Sequence, residues 1–358
     1  MKKKILITTG GSGGHTMPAT IIFDHLKKNF DVFLETDKRG SHFIDSAKYK
    51  YRVFSSVKLG SFFKIPITIY KFILILINSF FYLKKNNFNV VISTGGYMSI
   101  PTCLAARSLS LDIFLFEPNM VIGRSNRFFL SLSKKIFCYS SSLKYFPKKY
   151  ENKIKLIPSL LKKEIYQLKT GKKKDNKIFK ILIVGGSQGA EIFEKKLFPL
   201  ILELSKKLNI FVYHQVKINE KIYKEISEVY QENKINFELF NFKHSIHKYI
   251  CDSDLVITRA GASTLAELVY LNIPFVTIPF PYSKDNHQLE NANYYMNKNC
   301  CWVFEEKNFF TENSNNFLLN LVNNTNEILD KKENMRKISY QNTWNNINEI
   351  LNETLYEN

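Results

Sequence analysis

The sequence predicts an α/β protein built from two doubly wound, Rossmann-like domains with parallel sheets, and three observations carry that prediction. An apolar run ending in a glycine turn occurs twice, as KILITTGGSGG at 4–14 and KILIVGGSQGA at 180–190. Behind each copy, short and nearly continuous apolar runs alternate with helix-length segments, as expected of strands covered on both faces. The chain has 358 residues, more than one core ordinarily holds.

In the first half the strand at 4–9 runs into its glycine turn and a helix. The strands DVFLETD, NVVISTGG, DIFLFEP and KIFCYS follow; in the second half IFVYHQV, DLVITRAG and PFVTIPF follow the second turn. The boundary belongs in 157–177, where the cationic run Lys172 to Lys174 reads as an exposed loop. The domains are therefore expected at 1–158 and 159–341, with 342–358 a C-terminal helix that in this fold class often returns to the first domain. Ligands of such sheets bind at the carboxyl ends of the strands, so two sheets facing one another would enclose a cleft.

Composition narrows the function classes. Hydrophobic residues make up 45% and aromatic residues 14%, enough for packed cores rather than disorder. The five cysteines form no C-x-x-C pair, which suits neither a disulfide framework nor a zinc site and fits a reducing compartment. The opening MKKKILITTGG has only three apolar residues in a row, Ile5 to Ile7, before threonines and glycines interrupt it, too few for an export segment. A formal charge of +19 has two readings: an anionic partner, or a composition rich in Lys throughout. No basic stripe interleaved with aromatics speaks for nucleic acid.

LGSFFKIPITIYKFILILINSFFYLKK at 59–85 is unusually apolar. As a helix, residues 65–83 would span about 28 Å, near the thickness of a bilayer core. A span would part the strand at 4–9 from the strand at 89–94, which should share a sheet. Lys64, Lys71, Asn78 and Lys85 fall seven apart and leave one narrow polar stripe. Two readings remain: a helix buried against the sheet, or one partly inserted in an anionic bilayer surface.

The glycine turns are neither Walker A loops nor complete dinucleotide fingerprints. Their physical content is a tight turn, close approach of the backbone to a ligand, and helix N–H groups that attract negative charge. His15 stands where the first helix begins, so the positive helix end favours its neutral, proton-accepting form. It is a candidate general base or a residue that caps the turn. STGGYMSIP at 93–101 and FEPNMVIGRSNR at 116–127 end two further strands with polar loops. In the second half, RAGASTLAE at 259–267 opens a helix expected to begin near Ser263 or Thr264, with Glu267 in its first turn, where the helix dipole would stabilise a carboxylate. PFPYSKDNHQLENA at 279–292 then places Gln288 and Asn291 on one helix face.

GGSGGHTMPA, STGGYMSIP, EPN, GGSQGA, RAGASTLAE and PFPYSKDNHQLENA stand in the order found in the MurG-type peptidoglycan glycosyltransferases, which this chain resembles from about residue 4 to about residue 305. The resemblance implies a GT-B fold and a metal-independent, inverting transfer of GlcNAc from UDP-GlcNAc, without cofactor. The acceptor would be the 4-hydroxyl of MurNAc in undecaprenyl-pyrophosphoryl-MurNAc-pentapeptide (lipid I), and the product lipid II. It further implies that Ser12, Gly13, Gly14 and Asn119 reach the donor from the first domain. Ser187, the main chain near Phe242 and Lys243, and Ala262, Ser263, Thr264, Leu265, Ala266 and Glu267 would hold uridine, ribose and diphosphate, with Glu267 on the ribose. Gln288 would contact GlcNAc, and His15 would lie near the attacking hydroxyl. The protein would work as a peripheral protein at the cytoplasmic face of the inner membrane, on an anionic surface. Cell-wall synthesis proteins are further candidates for partners.

Two positions depart from the family pattern. Lys162 stands where a donor-binding arginine is usual, keeping the charge but losing the planar fork. Pro118 stands where a glutamine commonly precedes Asn119 and removes an amide and a backbone donor. Another GT-B transferase acting on a membrane lipid, or a sugar-nucleotide-binding protein without catalysis, are the alternative readings.

Overall fold

The computed structural model describes residues 2–54, 65–168, 178–186, 191–216, 220–241, 246–309 and 312–357. They form two compact units, one of residues 1–163 with 342–358, the other of residues 164–341.

The first unit has seven parallel strands: β1 (Lys4–Thr8), β2 (Asp31–Asp37), β3 (Tyr51–Phe54), β4 (Val90–Ser93), β5 (Asp112–Glu117), β6 (Lys135–Cys138) and β7 (Ile154–Leu156). Their order in the sheet is β3-β2-β1-β4-β5-β6-β7, so the direction of winding reverses between β1 and β4. The register pairs Ile5 to Thr8 with Val90 to Ser93 and brings the carboxyl ends of β1 and β4 level. Helices α1 (Gly13–Leu26), α2 (Lys38–Ser41), α3 (Ile65–Lys85), α4 (Ile100–Ser108) and α5 (Arg124–Phe129) connect the strands. β4 is buried at all four positions and β1 at four of five, the continuous burial that explains why these runs are apolar without alternation. Leu6, Val91, Leu115 and Ile136 pack with Ala105, Ala106 and Phe129 in one core.

The second unit repeats the plan with β8 (Phe179–Val184), β9 (Ile210–Gln215), β10 (Asn236–Phe240), β11 (Leu255–Thr258), β12 (Phe275–Thr277) and β13 (Trp302–Val303). The parallel order is β10-β9-β8-β11-β12-β13, with the switch between β8 and β11. Its helices are α6 (Glu191–Ser205), α7 (Glu220–Glu232), α8 (His247–Asp252), α9 (Ala262–Tyr270), α10 (His287–Met296), α11 (Glu306–Phe309), α12 (Glu312–Asn323) and α13 (Thr325–Ser339). Ile181, Ile183, Val212 and Ile257 meet Phe193, Leu197 and Ile201 of α6 in the core.

Residues 159–163 stay with the first unit, five residues beyond the break placed at 158, because two long-range bonds tie them there. The Leu160 N–H donates to Tyr139 at 2.9 Å, and Asn342 Nδ2 donates to the Ser159 carbonyl at 3.0 Å. The last helix, α14 (Trp344–Tyr356), begins at Thr343, whose hydroxyl caps the Asn346 N–H at 3.2 Å. It lies on α1: Trp344 stacks on His25 with ring centres 3.6 Å apart, Asn348 Oδ1 meets His25 Nδ1 at 2.7 Å, and Asn29 donates to Asn352 at 2.9 Å.

The apolar segment forms α3 and divides its faces. Ile75, Ser79 and Leu83 are buried, with Ser79 Oγ 3.3 Å from Thr102 Oγ1 of α4. Ile69, Ile73, Ile77 and Phe81, four residues apart, are 43 to 63% exposed, with Tyr70 and Leu74 beside them. This is an apolar stripe on the outside of the unit, not a helix buried all round. Among the described residues no helix is long and apolar enough to cross a membrane.

Candidate active site

In the first unit the polar loops gather at the switch between β1 and β4. Gly11 adopts φ +90°, a left-handed turn, and its N–H donates to Asp37 Oδ1 at 2.8 Å. The same oxygen accepts from the Gly40 N–H at 2.9 Å, so a fully buried carboxylate at the end of β2 fastens the turn after β1. Ser12 caps α1 in an extended conformation without a side-chain bond, leaving its hydroxyl outside the cap, while Gly13 and Gly14 are the first two helical residues. Gly13 is buried against Phe43 and Gly14 is exposed.

His15, the third helical residue, places Nδ1 2.9 Å from the Thr94 carbonyl at the end of β4. A carbonyl only accepts, so Nδ1 carries the proton and the lone pair of the neutral ring is on Nε2. The ring lies against two glycines. A Cβ on Gly95 (φ +91°) would stand 3.1 Å from His15 Nδ1, and one on Gly96 (φ +84°) only 2.7 Å from the Gly10 carbonyl. The paired glycines of STGGYMSIP thus let the β4 loop close on the histidine and the first glycine turn. Arg39, half exposed, donates to Tyr97 at 2.7 Å and pairs with Asp37 at 3.3 Å beside Gly11.

Asn119 follows β5, and its position is set by Glu117. That buried carboxylate accepts from Asn119 Nδ2 at 2.9 Å, the Asn119 N–H at 3.2 Å, the Gly123 N–H at 2.8 Å and Asn126 Nδ2 at 3.0 Å. Lys162 is half-buried in an irregular stretch near the end of the unit's main segment.

The second unit offers a matching set of loops at the switch between β8 and β11. Gly186 is left-handed (φ +83°), and a Cβ there would meet nothing within 4 Å. Gln215 at the end of β9 braces the turn, accepting from the Gly185 N–H at 3.0 Å and donating to the Gly186 carbonyl at 3.3 Å. Ser187, Phe242 and Lys243 lie outside the described residues.

Gly261 caps α9 in an extended conformation and has no side chain to satisfy the first amides, those of Ala262, Ser263 and Thr264. The helix starts earlier than Ser263, because a backbone-only cap suffices there. Glu267 is consequently the sixth helical residue, in the second turn rather than the first, where the dipole term has mostly faded. It is half-buried. Leu265 and Ala266 turn into the core instead of outward.

Gln288, at the second position of α10, joins the two neighbouring strand ends. Its Oε1 accepts from the Ala260 N–H at 3.2 Å and the Phe280 N–H at 3.0 Å. Two N–H groups on one atom identify it as the oxygen and leave the two Nε2 hydrogens directed elsewhere. Asn291 Nδ2 donates to the Ala260 carbonyl at 3.2 Å from deep burial. Among the described residues no three His, Cys, Asp or Glu side chains converge as metal ligands.

Asp37, Glu117, Gln215 and Arg259 support the loops without having been singled out from the sequence. Each is a polar residue at or just beyond the end of an apolar strand run, and that position is the signal that would have found them.

The glycosyltransferase family 28 N-terminal domain matches residues 5–138, and the family's C-terminal domain matches residues 180–347. A UDP-N-acetylglucosamine--N-acetylmuramyl-(pentapeptide) pyrophosphoryl-undecaprenol N-acetylglucosamine transferase of Pelagibacter ubique is 45% identical over 359 residues, with both chains covered completely. The enzyme of the same description from Rickettsia canadensis is 31% identical, covering 94% of this chain and 95% of its own. The crystal structure of Acinetobacter baumannii MurG superposes with a TM-score of 0.74 at 21% identity, over 94% of this chain and 95% of that one. The α/β class expected from the sequence, with two Rossmann-like parallel-sheet domains of the GT-B kind, is the one found. The chain belongs to glycosyltransferase family 28, within its MurG group of UDP-N-acetylglucosamine--N-acetylmuramyl-(pentapeptide) pyrophosphoryl-undecaprenol N-acetylglucosamine transferases.

Proposed function

We propose that this protein transfers GlcNAc from UDP-GlcNAc to the 4-hydroxyl of MurNAc in lipid I, with inversion, to form lipid II. The full-length relationship to the Pelagibacter enzyme carries the reading. In the reaction the acceptor oxygen bonds to the anomeric carbon, the hydroxyl proton passes to a base, and the bond from that carbon to the β-phosphate oxygen breaks, with UDP leaving on the bonding pair. His15 is the base: its Nδ1–H is committed to the Thr94 carbonyl, which puts the accepting pair on Nε2. The first amides of α9, beyond a glycine cap, suit a diphosphate that gains charge as it leaves. Glu267 is assigned to the ribose and Gln288 to the sugar; Ser12, Gly14, Asn119 and Lys162 are assigned to the donor from the first unit.

The membrane reading follows from the substrate and from α3. A lipid-linked acceptor requires the enzyme at a bilayer surface, and the stripe Ile69, Ile73, Ile77 and Phe81 would lie in the interface, with Lys84 and Lys85 toward anionic headgroups. The enzyme then acts as a peripheral protein at the cytoplasmic face of the inner membrane.

The deciding experiment follows labelled GlcNAc from UDP-GlcNAc into a short-chain lipid I analogue, with UDP release measured in parallel. Acceptor-dependent label in the lipid fraction is the expected result. Donor binding without transfer to any polyprenyl acceptor would replace the proposal with a binding role.

A further inference from the structure

Gln288 can serve a sugar only if its amide is aimed, and the aim depends on where the Phe280 and Ala260 N–H groups stand. The Ala260 side is held by Asn291. The Phe280 side is held by Arg259, whose Nη1 donates to the Ile278 carbonyl at 3.0 Å and the Pro279 carbonyl at 3.3 Å, the two carbonyls just ahead of Phe280. Its guanidinium also lies over the Phe280 ring, 5.4 Å from the centroid, and over Phe193 at 4.8 Å. The other end of the fork, Nη2, pairs with Glu306 of α11, and the two side chains are 7% and 19% exposed. A cation taken so far out of water is costly unless each direction of the fork is occupied, and here the carbonyls and the carboxylate occupy them.

We propose that Arg259, paired with Glu306, is a positioning residue that aims the Gln288 amide at the donor's sugar and so sets recognition of the sugar apart from that of the nucleotide. The inference rests on the reading of this unit as the donor site. Arg259 reaches Gln288 through the main chain of 278–280, whereas the amides of α9 are held by their own helix. Loss of the fork therefore acts on the sugar contact first. Lysine keeps the charge but cannot reach two carbonyls and a carboxylate in one plane.

The test compares dissociation constants of UDP and UDP-GlcNAc, by calorimetry, for the wild type, Arg259→Lys, Glu306→Gln, Gln288→Ala and the double variant Arg259→Lys/Gln288→Ala. Arg259→Lys and Glu306→Gln should weaken UDP-GlcNAc by about five- to tenfold, the worth of one or two hydrogen bonds, with UDP changed less than about twofold. The double variant should be little worse than Gln288→Ala alone, because both changes remove one contact. Parallel weakening of UDP and UDP-GlcNAc, additivity with Gln288→Ala, or unchanged binding would each overturn the assignment. Thermal unfolding accompanies every variant, and Glu306→Gln, which preserves shape, carries the test if Arg259→Lys is unfolded. A wild type that binds neither UDP nor UDP-GlcNAc would instead remove the donor reading itself.

Discussion

His15 Nδ1 lies 2.9 Å from the carbonyl oxygen of Thr94, so a residue from the first glycine turn is oriented by the end of a strand 79 positions away. The bond crosses the point where the sheet reverses its winding, and it fixes the tautomer as well as the ring. Replacing His15 by Ala should lower kcat by about 10²- to 10⁴-fold while KM for UDP-GlcNAc moves little, since a base acts in the transition state. Steady-state kinetics decide this. A collapse of donor affinity with turnover preserved at saturation would make His15 a binding residue.

The two glycines against that ring should respond differently to a methyl group. In Gly96→Ala the new Cβ meets the Gly10 carbonyl at 2.7 Å in a left-handed conformation, so the main effect is on stability, about 1–3 kcal/mol by urea unfolding. In Gly95→Ala the Cβ meets His15 Nδ1 at 3.1 Å, and the ring has to give way. Its turnover should fall by more than its stability loss accounts for. Wild-type kcat in folded Gly95→Ala would show that the ring adjusts freely.

Strand positions and the parallel class of the sheets are legible in the sequence because a parallel strand covered on both faces is apolar along most of its length, as Val90 to Ile92 and Ile5 to Ile7 are. The glycine turns are legible for a related reason: only glycine tolerates the left-handed geometry at Gly11, Gly95, Gly96 and Gly186 without strain. What is hidden depends on main-chain atoms far away in sequence. Nothing in EPNMVIGRSN announces that one carboxylate will collect four donors, and nothing in TRAGA announces that Arg259 will reach back to the Ile278 and Pro279 carbonyls. The start of α9 is missed because a glycine cap carries no side-chain signal. On α3, apolar residues all round the helix leave its phase unset. Phe80 packs against the core and Phe81 faces out, a difference that two adjacent phenylalanines do not reveal in sequence.

Glu267 stands half-buried in the second turn of α9, and under the proposed function its carboxylate holds the ribose of the donor. Glu267→Ala should weaken UDP about 10- to 100-fold, the range for losing charge-assisted hydrogen bonds. Glu267→Gln should retain part of the affinity. Calorimetric titration with UDP measures both, and an unchanged constant in Glu267→Ala would take the residue off the ribose.

His25 makes the contact between α1 and α14 sensitive to acid. Burial pushes its pKa down to about 4, against the opposing pull of the Asn348 bond and of Asp24. The unfolded chain, titrating near the usual histidine value, binds more protons between pH 4 and 6.5. Stability should therefore rise with pH across that window and be lost as pH falls through it, by on the order of 3 kcal/mol from this group. His214, buried in the second unit with its pKa pushed down to about 3, works in the same direction. His25→Phe keeps a ring on Trp344 and removes the titration. It should be less stable at pH 7, having lost the bond to Asn348, yet lose less on going to pH 4.5. Urea unfolding at pH 7, 5.5 and 4.5 measures both effects, and an unchanged slope would show that His25 is not the group being titrated.

The outer stripe of α3 separates attachment from folding. Ile69, Ile73, Ile77 and Phe81 are 43 to 63% exposed, so polar substitution there removes little from the core, whereas Ile75 and Leu83 are buried and Phe80 packs against the core. Ile73→Gln/Ile77→Gln/Phe81→Gln should leave the melting temperature within a few degrees of the wild type, as expected for surface changes of about 0.5 kcal/mol each. The same variant should sediment far less with vesicles containing anionic lipid. Transfer to a water-soluble acceptor analogue should persist, and transfer to vesicle-bound acceptor should drop in proportion to the lost sedimentation. Ile75→Gln is the contrasting case: a polar group placed against Phe54 and Met98 should destabilise by about 2–4 kcal/mol and lower both activities together. If the triple variant still sediments with vesicles as the wild type does, the basic charge of the chain rather than this stripe holds it at the surface, and raising the salt concentration should then release it.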